Sequence, residues 1–325
     1  MQNKRVDINF FPGWVRKSVT FTMDDGVLDT DTKFLNIVRP AGILGTFNLL
    51  VPYYSRLSRE GYLEMYRGYE ISNHTKTHPL AMSDGVEYII ADEPFDAMTC
   101  LTHTPETPYV YRNPNDMEGV YRIHYDPERI KPDGWYPIAR TEDYLKSIDD
   151  SQQALEELFG EDCVRGFVWP FYTQSNKAIV DYVKSKGFYG MRGVGDVLDK
   201  FNFGMPPERF PWCYTCHHAN LLEVMAWYEA CPDDGELKFF SFGVHSFDFE
   251  RSDNWSDLEE FAKKYGGRPD EYYYASVGDI FAYEDAVKAL VLTDSEIYNP
   301  SSLTLYVKVD GENRTIAPGE RLCLA

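Results

Sequence analysis

Short apolar runs alternate with segments of helical spacing through most of the chain. The clearest helical pattern covers 141–159, where apolar residues recur every three or four positions and Gly160 follows as a stop signal. Further helices are predicted at 31–38, 55–67 and 176–185, and Ser256–Glu259 forms a capping-box pattern for a helix through Lys264. Buried strands are predicted at 18–23, 43–51, 69–73, 167–169, 188–192 and 238–245. This alternation predicts an α/β fold with a mostly parallel sheet and crossover helices, either open or closed into a barrel.

Two regions depart from the alternation. Residues from about 84 to 140 show no sustained periodicity and are rich in Pro and Tyr, so we expect an insertion with a function or structure of its own. After about residue 293 the pattern becomes β, and Asp310-Gly311 between two alternating runs is a strong hairpin signal. The sequence therefore predicts a main domain over 1–292 and a small β appendage over 293–325.

The composition is that of a globular protein with a large excess of acidic residues. The 325 residues include 52 acidic and 32 basic ones, for a net charge of −20. This charge argues against a nucleic-acid or anionic-membrane surface, because phosphate groups favour clustered Lys and Arg. No stretch approaches the roughly 18 apolar residues of a membrane span. Residues 1–7 hold no apolar run of signal-peptide length, so the sequence as it stands predicts a cytoplasmic protein, or an extracytoplasmic one if a leader has been removed.

The six cysteines are too sparse in a chain of this length to indicate a disulfide scaffold. Cys213-Tyr-Thr-Cys216-His217 matches the spacing of haem attachment, and with the adjacent His218 it also suggests zinc. A structural zinc site usually needs a second pair of ligands at similar spacing, and the sequence shows none. We therefore expect ordinary thiols in a loop at this position.

Residues with metal-binding chemistry follow three of the predicted strands. His74 and His78 lie four positions apart, so that on a helical turn both imidazoles would reach one ion. Asp24 and Asp25 follow the first strand, and adjacent carboxylates are costly to leave near a core. Because successive side chains of a strand diverge, one of the pair could ligate a metal while its neighbour handles a proton. His245 ends the last predicted strand, at the edge where barrels carry their active sites.

At these residues the chain resembles the polysaccharide deacetylases, the NodB-homology family (carbohydrate esterase family four). Thr20-Phe-Thr-Met-Asp24-Asp25-Gly26 is similar to the first motif of that family. Tyr69-Glu-Ile-Ser-Asn-His74-Thr-Lys-Thr-His78-Pro79 is similar to the second, nearly residue for residue. Val244-His245 resembles a late Leu-x-His motif. The resemblance runs from about residue 15 to 290, with the insertion interrupting it.

The resemblance implies a fold, a cofactor and a mechanism. The fold would be a deformed (β/α) barrel, and a divalent metal, usually zinc, would be held by Asp25, His74 and His78. The metal polarises an acetyl carbonyl and acidifies water, Asp24 is the general base, and His245 is the general acid that protonates the leaving amine. The expected function is a metal-dependent hydrolase acting on C–N bonds other than peptide bonds, with an acetylated oligo- or polysaccharide as substrate.

The chain departs from the family pattern at its third motif. That motif is often Arg-x-Pro-Tyr, whose Arg tethers the base, whereas here Val168 stands where the Arg would be. Arg192, at the end of the next predicted strand, is the candidate replacement. The residues considered for substrate binding or base tuning are Arg192, Trp169, Phe171 and Tyr172. The fourth motif is matched only loosely, by Asp196-Val-Leu-Asp199-Lys200, and no role is carried over to it.

Two other functions stay open on the sequence. One is an O-acetyl esterase or another C–N hydrolase of the same fold acting on a smaller substrate, since the altered third motif leaves the substrate uncertain. The other is a carbohydrate-binding protein with a degenerate site, in which aromatic residues and the β appendage bind the sugar. The intact set of candidate ligands and proton-handling groups argues against this second alternative. The sequence does not predict an oligomeric state.

Overall fold

The structure is a computed structural model that describes residues 6–52, 54–76, 78–81, 89–90, 109–110, 121–124, 135–139, 141–160, 163–170, 176–193, 203–243 and 245–324. Phe171 and Tyr172 lie outside these residues, as do Val244, the segment 194–202 and most of the predicted insertion. Within the insertion, the structure describes short strands without their side chains.

The described residues form strands and helices that alternate through the main domain. The strands are β1 (Val6–Phe10), β2 (Lys17–Asp24), β3 (Thr46–Leu49), β4 (Glu70–Asn73), β5 (Leu80–Ala81), β6 (Ile89–Ile90), β7 (Tyr109–Val110), β8 (Tyr121–His124), β9 (Trp135–Ala139), β10 (Val164–Val168), β11 (Met191–Arg192), β12 (Cys216–His217), β13 (Lys238–Gly243), β14 (Tyr272–Tyr274), β15 (Val291–Leu292), β16 (Glu296–Tyr298), β17 (Leu305–Val309), β18 (Glu312–Ile316) and β19 (Arg321–Cys323). The α-helices are α1 (Leu28–Val38), α2 (Arg59–Met65), α3 (Thr141–Phe159), α4 (Lys177–Ser185), α5 (Leu221–Ala230), α6 (Ser246–Arg251), α7 (Trp255–Tyr265) and α8 (Val277–Lys288).

The central element is an eight-stranded sheet whose strand pairs are all parallel among the described residues. Seven strands follow the order β11-β10-β4-β3-β2-β13-β12, and β14 pairs with the first half of β2. The strands curl into a half-barrel with helices packed against it, so the expected deformed (β/α) barrel is confirmed. Since all of these strands run in one direction, their carboxyl ends meet at one edge of the sheet, where barrel active sites lie.

The alternation within β2 explains how polar groups reach that edge. Val19, Phe21 and Met23 pack into the largest apolar cluster of the protein. The opposite face carries Ser18, Thr20, Thr22 and Asp24, which are also buried. The neighbouring strands continue these polar rows in register, since Asp24 aligns with Asn48 and Asn48 aligns with Ser72. One face of the half-barrel is therefore lined with buried polar side chains, and the row nearest the strand ends contains Asp24.

The amino end of α8 packs against a buried carboxylate at the opposite end of the strands. Glu70, the first residue of β4, accepts hydrogen bonds from Ser276 Oγ at 2.7 Å and from the Gly278 amide at 3.1 Å. Tyr189 Oη donates to the other Glu70 oxygen at 2.7 Å, and Arg165 forms an ion pair with Glu70 at 2.8 Å. A carboxylate at a helix amino terminus is favoured by the unpaired amides and the helix dipole. This contact fastens α8 to the sheet away from the strand edge that carries the predicted site.

Small antiparallel sheets form over the last part of the sequence, as expected from the β pattern. β17 and β18 form a hairpin around Asp310-Gly311, so the predicted turn is confirmed. The sheet takes its third strand, β1, from the amino-terminal end of the chain. A second sheet joins β15, β16 and β19. The pairing of β1 with β17 joins positions about 300 residues apart, which local sequence patterns do not reveal.

Several local predictions were wrong in detail. The predicted capping box at Ser256 does not form, because helix α7 begins at Trp255 with Asn254 as its N-cap residue. At the start of α6, by contrast, the His245 amide donates to Asp248 Oδ2 at 3.3 Å. The strand predicted over 188–192 is confined to Met191–Arg192.

Candidate metal centre and active site

A tight turn at the end of β2 brings Asp25 to the strand edge. Asp25 and Gly26 both adopt left-handed backbone conformations, with φ values of 73° and 65°. A Cβ atom on Gly26 would lie 2.8 Å from Leu49 Cδ2, so both the conformation and the packing require glycine at this position. The turn separates two adjacent carboxylates: Asp24 stays buried as the last residue of the strand, while Asp25 faces the histidine loop.

The loop after β4 carries His74 and His78, and it is not the helical turn that their spacing suggested. Thr75 and His78 have positive φ angles of 66° and 51°, so the loop reverses through left-handed residues. Its shape is held by hydrogen bonds from the Thr75 amide to Asn73 Oδ1 at 2.8 Å and from the His78 amide to Thr75 Oγ1 at 3.2 Å. Helix α3 supports it, since Ser147 Oγ accepts from the Lys76 amide at 3.0 Å.

Asp25, His74 and His78 converge on one point. Asp25 Oδ1 lies 3.4 Å from His74 Nε2 and 3.5 Å from His78 Nε2. All three ligand atoms lie within 4.8 Å of one another. His74 Nδ1 donates a hydrogen bond to the Val168 carbonyl at 3.0 Å, which fixes the tautomer and leaves the lone pair of Nε2 facing Asp25. The residue that replaces the family's arginine thus orients a candidate ligand through its backbone.

The three groups fit a divalent metal in donor chemistry and in protonation. His74 Nε2 and Asp25 Oδ1 are buried and have no hydrogen-bond partner among the described residues. Two imidazole nitrogens and a carboxylate oxygen form a three-ligand set that zinc takes in catalytic sites. Burial raises the pKa of Asp25, but the neighbouring imidazoles outweigh it and hold that pKa below its ordinary value. Burial lowers the pKa of His78 to about 4, so at neutral pH it is a neutral imidazole, the form that binds metal.

Asp24 is held by an arginine and an amide. Its carboxylate forms a hydrogen-bonded ion pair with Arg192 Nη2, and both side chains are buried. Asn48 Nδ2 donates to the other Asp24 oxygen at 2.7 Å. Arg192 ends β11, which pairs with β10 and aligns with it at Val168, so its guanidinium reaches Asp24 from the strand next to the one that holds the family's arginine position. Arg192 is fully buried, so it is not an ordinary surface arginine.

His245 is positioned by a carboxylate on its own helix. Its Nδ1 donates to Asp248 Oδ2 at 2.8 Å, and its Nε2 lies 3.6 Å from Asp25 Oδ2. Burial lowers the pKa of His245, but the hydrogen bond to Asp248 and the charges of Asp24 and Asp25 outweigh it and raise the pKa above its ordinary value. The sequence pattern predicted no role for Asp248, which lies three residues after His245 in the first turn of α6.

The remaining predicted residues have different placements. Trp169 is fully buried and packs against Tyr144 and Phe167, with ring centroids 5.6 and 5.8 Å away. These contacts and its burial favour a packing role for Trp169 over contact with a sugar ring. Phe171 and Tyr172 lie outside the described residues, so their predicted roles stay predictions.

Comparison with known families agrees with the motifs. The model of the polysaccharide deacetylase family matches residues 15–191, which is more than half of the chain. The chain belongs to the polysaccharide deacetylase family. The matched range contains Asp24, Asp25, His74 and His78, and it ends before His245. Members of this family are generally metal-dependent, and the described residues contain a group that could bind a metal. A search of curated proteins gave no significant match.

One solved structure supports the fold at low sequence identity, and others are similar with TM-scores below 0.5. A polysaccharide deacetylase from Mycobacterium smegmatis has a TM-score of 0.50 at 16% identity, covering 88% of this chain and 97% of that chain. Peptidoglycan deacetylase PdaC from Bacillus subtilis has a TM-score of 0.41 at 16% identity, with 84% and 92% covered. The Xyl-CE4 domain of a multidomain xylanase from the hindgut metagenome of Trinervitermes trinervoides has a TM-score of 0.43 at 12% identity, with 83% and 92% covered. None of the described helices has the length and apolar composition needed to span a membrane.

Proposed function

We propose that this polysaccharide deacetylase family member removes N-acetyl groups from an acetylated oligo- or polysaccharide, using a divalent metal held by Asp25, His74 and His78. The observation that carries the proposal is the convergence of these three groups, two of which present buried atoms without a partner among the described residues. Zinc suits the two-nitrogen, one-oxygen donor set. When bound, the cation supplies a Lewis acid that polarises the acetyl carbonyl and makes water a stronger acid.

Asp24 is the general base in this proposal. Its carboxylate lies beside the metal ligands but is held away from them by Arg192 and Asn48, so it keeps an oxygen lone pair for a proton. Arg192 is the ion-pair partner of this carboxylate, and the carboxylate is the form that accepts a proton from attacking water. Arg192 therefore takes the tethering role that the family's third motif assigns to an arginine on the neighbouring strand.

His245 is the general acid. Its Nδ1–H is bound by Asp248, and its Nε2 lies 3.6 Å from Asp25 Oδ2, so a proton on Nε2 lies on the side of the candidate metal ligands. A positioned acid can protonate the leaving nitrogen as the C–N bond breaks. The acetyl group is thereby released as acetate, and the sugar keeps a free amine.

The proposed function predicts that activity depends on metal and prefers amide-linked acetyl groups. Dialysis against a chelator is expected to reduce acetate release from chitooligosaccharides at least about 100-fold, because a Lewis acid contributes several kcal/mol to the barrier. Adding Zn²⁺ back should restore the rate. Acetate release and metal content would be measured on the same samples, with acetylxylan as the ester-linked comparison.

Full activity in the metal-free protein would contradict the proposal. Faster acetate release from acetylxylan than from chitooligosaccharides would instead support the O-acetyl esterase alternative. Oligosaccharide binding without acetate release from either substrate, in zinc-loaded protein, would indicate a carbohydrate-binding protein.

Replacing Asp248 with Asn should reduce kcat by about 10- to 100-fold with little change in KM. The carboxylate orients the His245 ring and stabilises its protonated form, and a general acid contributes about 10²- to 10⁴-fold to rate. Steady-state kinetics at saturating Zn²⁺ would measure the split. Asp253→Asn makes the same substitution at an exposed position just beyond α6 and should leave both constants unchanged. A rise in KM alone would contradict a role for Asp248 in positioning the acid.

A further inference from the structure

A second group of metal-binding side chains lies on the other side of His245. It consists of His217, His218 and Asp248, which we call the second cluster. Each residue offers one ligand atom, and these atoms lie within 4.8 Å of one another. His217 Nε2 is 3.9 Å from Asp248 Oδ2. The cluster forms because β12 pairs in parallel with β13, which places the end of β12 beside the start of α6.

His218 has the features of a ligand rather than of a satisfied core histidine. It is buried, with 4% of its surface exposed. Its Nε2 is hydrogen-bonded to Ser252 Oγ at 3.0 Å, and its Nδ1 is buried without a partner among the described residues. A buried ring nitrogen without a partner loses its hydration and gains nothing in return unless a ligand or ion binds it. A metal ion would satisfy that nitrogen directly.

The second cluster repeats the pattern of the first site. In both, the more buried histidine has one ring nitrogen hydrogen-bonded to a protein group and the other without a partner among the described residues. The hydrogen-bonding group is Val168 for His74 and Ser252 for His218. In both, a second, partly exposed histidine and a carboxylate complete a set of two nitrogen ligands and one oxygen ligand. Fixing one ring nitrogen is the usual way in which proteins orient a histidine ligand.

We propose that His217, His218 and Asp248 bind a second divalent cation of the zinc type, separate from the one at Asp25, His74 and His78. The donor set is the one that zinc takes in three-ligand sites. The inference goes beyond the proposed deacetylation and does not depend on it, because a second ion could be structural in a protein of any activity.

A second ion bound at this cluster would affect the first site, because His245 links the two. Asp248 Oδ2 accepts the hydrogen bond from His245 Nδ1, and His245 Nε2 faces Asp25. The imidazole of His245 therefore lies between the two groups of ligands. An ion on Asp248 would fix that carboxylate, and with it the ring of His245, more firmly than the start of a six-residue helix can.

The test is the zinc stoichiometry of the full chain by equilibrium dialysis and elemental analysis. Wild type is expected to bind two equivalents, and His217→Ala and His218→Phe one each. His78→Ala should also bind one, and His78→Ala combined with His218→Phe close to none. His217 is partly exposed, so His217→Ala tests the cluster with little risk to folding, and the equivalent retained at the other site shows that each single variant is folded.

Cys213→Ser is the control for the neighbouring Cys-x-x-Cys pattern, and it should keep two equivalents. Loss of an equivalent in Cys213→Ser, with both retained in His217→Ala, would assign the ion to the thiols and overturn the proposal. A single equivalent in wild type that is abolished by His78→Ala would overturn it as well.

Discussion

Replacing Asp24 with Asn is expected to reduce kcat by about 10²- to 10⁴-fold while the metal content at saturating Zn²⁺ stays near that of wild type. Asparagine keeps the shape of the side chain and its hydrogen bond to Asn48 but cannot accept the proton that a general base removes. Asp24 is not among the three groups whose ligand atoms converge, so its loss should spare the metal. Acetate release and bound zinc would be measured on the same protein, at a temperature where circular dichroism shows it folded.

His78→Ala is the matched variant, because it removes a ligand and leaves the base in place. It should lose metal from the site and activity together. The two variants thus separate binding from proton transfer. Wild-type kcat in Asp24→Asn would exclude Asp24 as the base, and loss of zinc as complete as in His78→Ala would place Asp24 among the ligands.

The closeness of the candidate ligands in the first site could be predicted, because the strand pattern indicates where each strand ends. An apolar run followed by Asp24-Asp25-Gly26, and a second run followed by His74, place polar groups at the carboxyl ends of neighbouring parallel strands. Parallel strands bring those ends to one edge whatever the intervening loops do. The expectation that these candidate ligands lie close together therefore needed only the order of the strands.

The conformation that joins the ligands could not be predicted. The spacing of His74 and His78 suggested a helical turn, but Thr75 and His78 are left-handed. Such conformations are uncommon for residues other than glycine and persist where surrounding contacts impose them. Here the contacts come from Asn73 and from Ser147 on helix α3, about 70 residues away. The three candidate ligands do converge, but through a local geometry that the sequence did not predict.

Helices α5 and α8 were missed for a related reason. Both lack a single apolar stripe: Leu221–Ala230 is apolar almost throughout, and α8 buries residues on most of its sides, including Gly278 and Glu284. A buried helix has no polar face to give the 3.6-residue period, so an apolar run of this length is ambiguous between strand and helix. The burial of Arg192 could not be predicted either, because arginine is rarely buried unless another residue, here one distant in the sequence, pairs with it.

Arg192→Met should lower the free energy of unfolding by about 3–5 kcal/mol, and so should Asp24→Asn, because each leaves a buried partner uncompensated. Arg192 is fully buried and Asp24 is 2% exposed, so solvent cannot take over the role of the missing group. The double variant, which has neither charge, is expected to be destabilised by at least about 1 kcal/mol less than the sum of the single effects. Urea unfolding of all four proteins, without metal, would give this coupling energy.

The ion pair between Arg321 and Glu296 is the matched control, since its side chains are 57% and 30% exposed. The effects of Arg321→Met and Glu296→Gln should simply add, because water screens the charges. If the effects at Asp24 and Arg192 also add, the pair is not coupled in solution, and Arg192 cannot be the group that tethers the base. If they are coupled as expected, the chain has kept the family's arginine–aspartate pair while moving its arginine to a neighbouring strand. Val168, which stands at the family's arginine position, then orients His74 through its own backbone carbonyl.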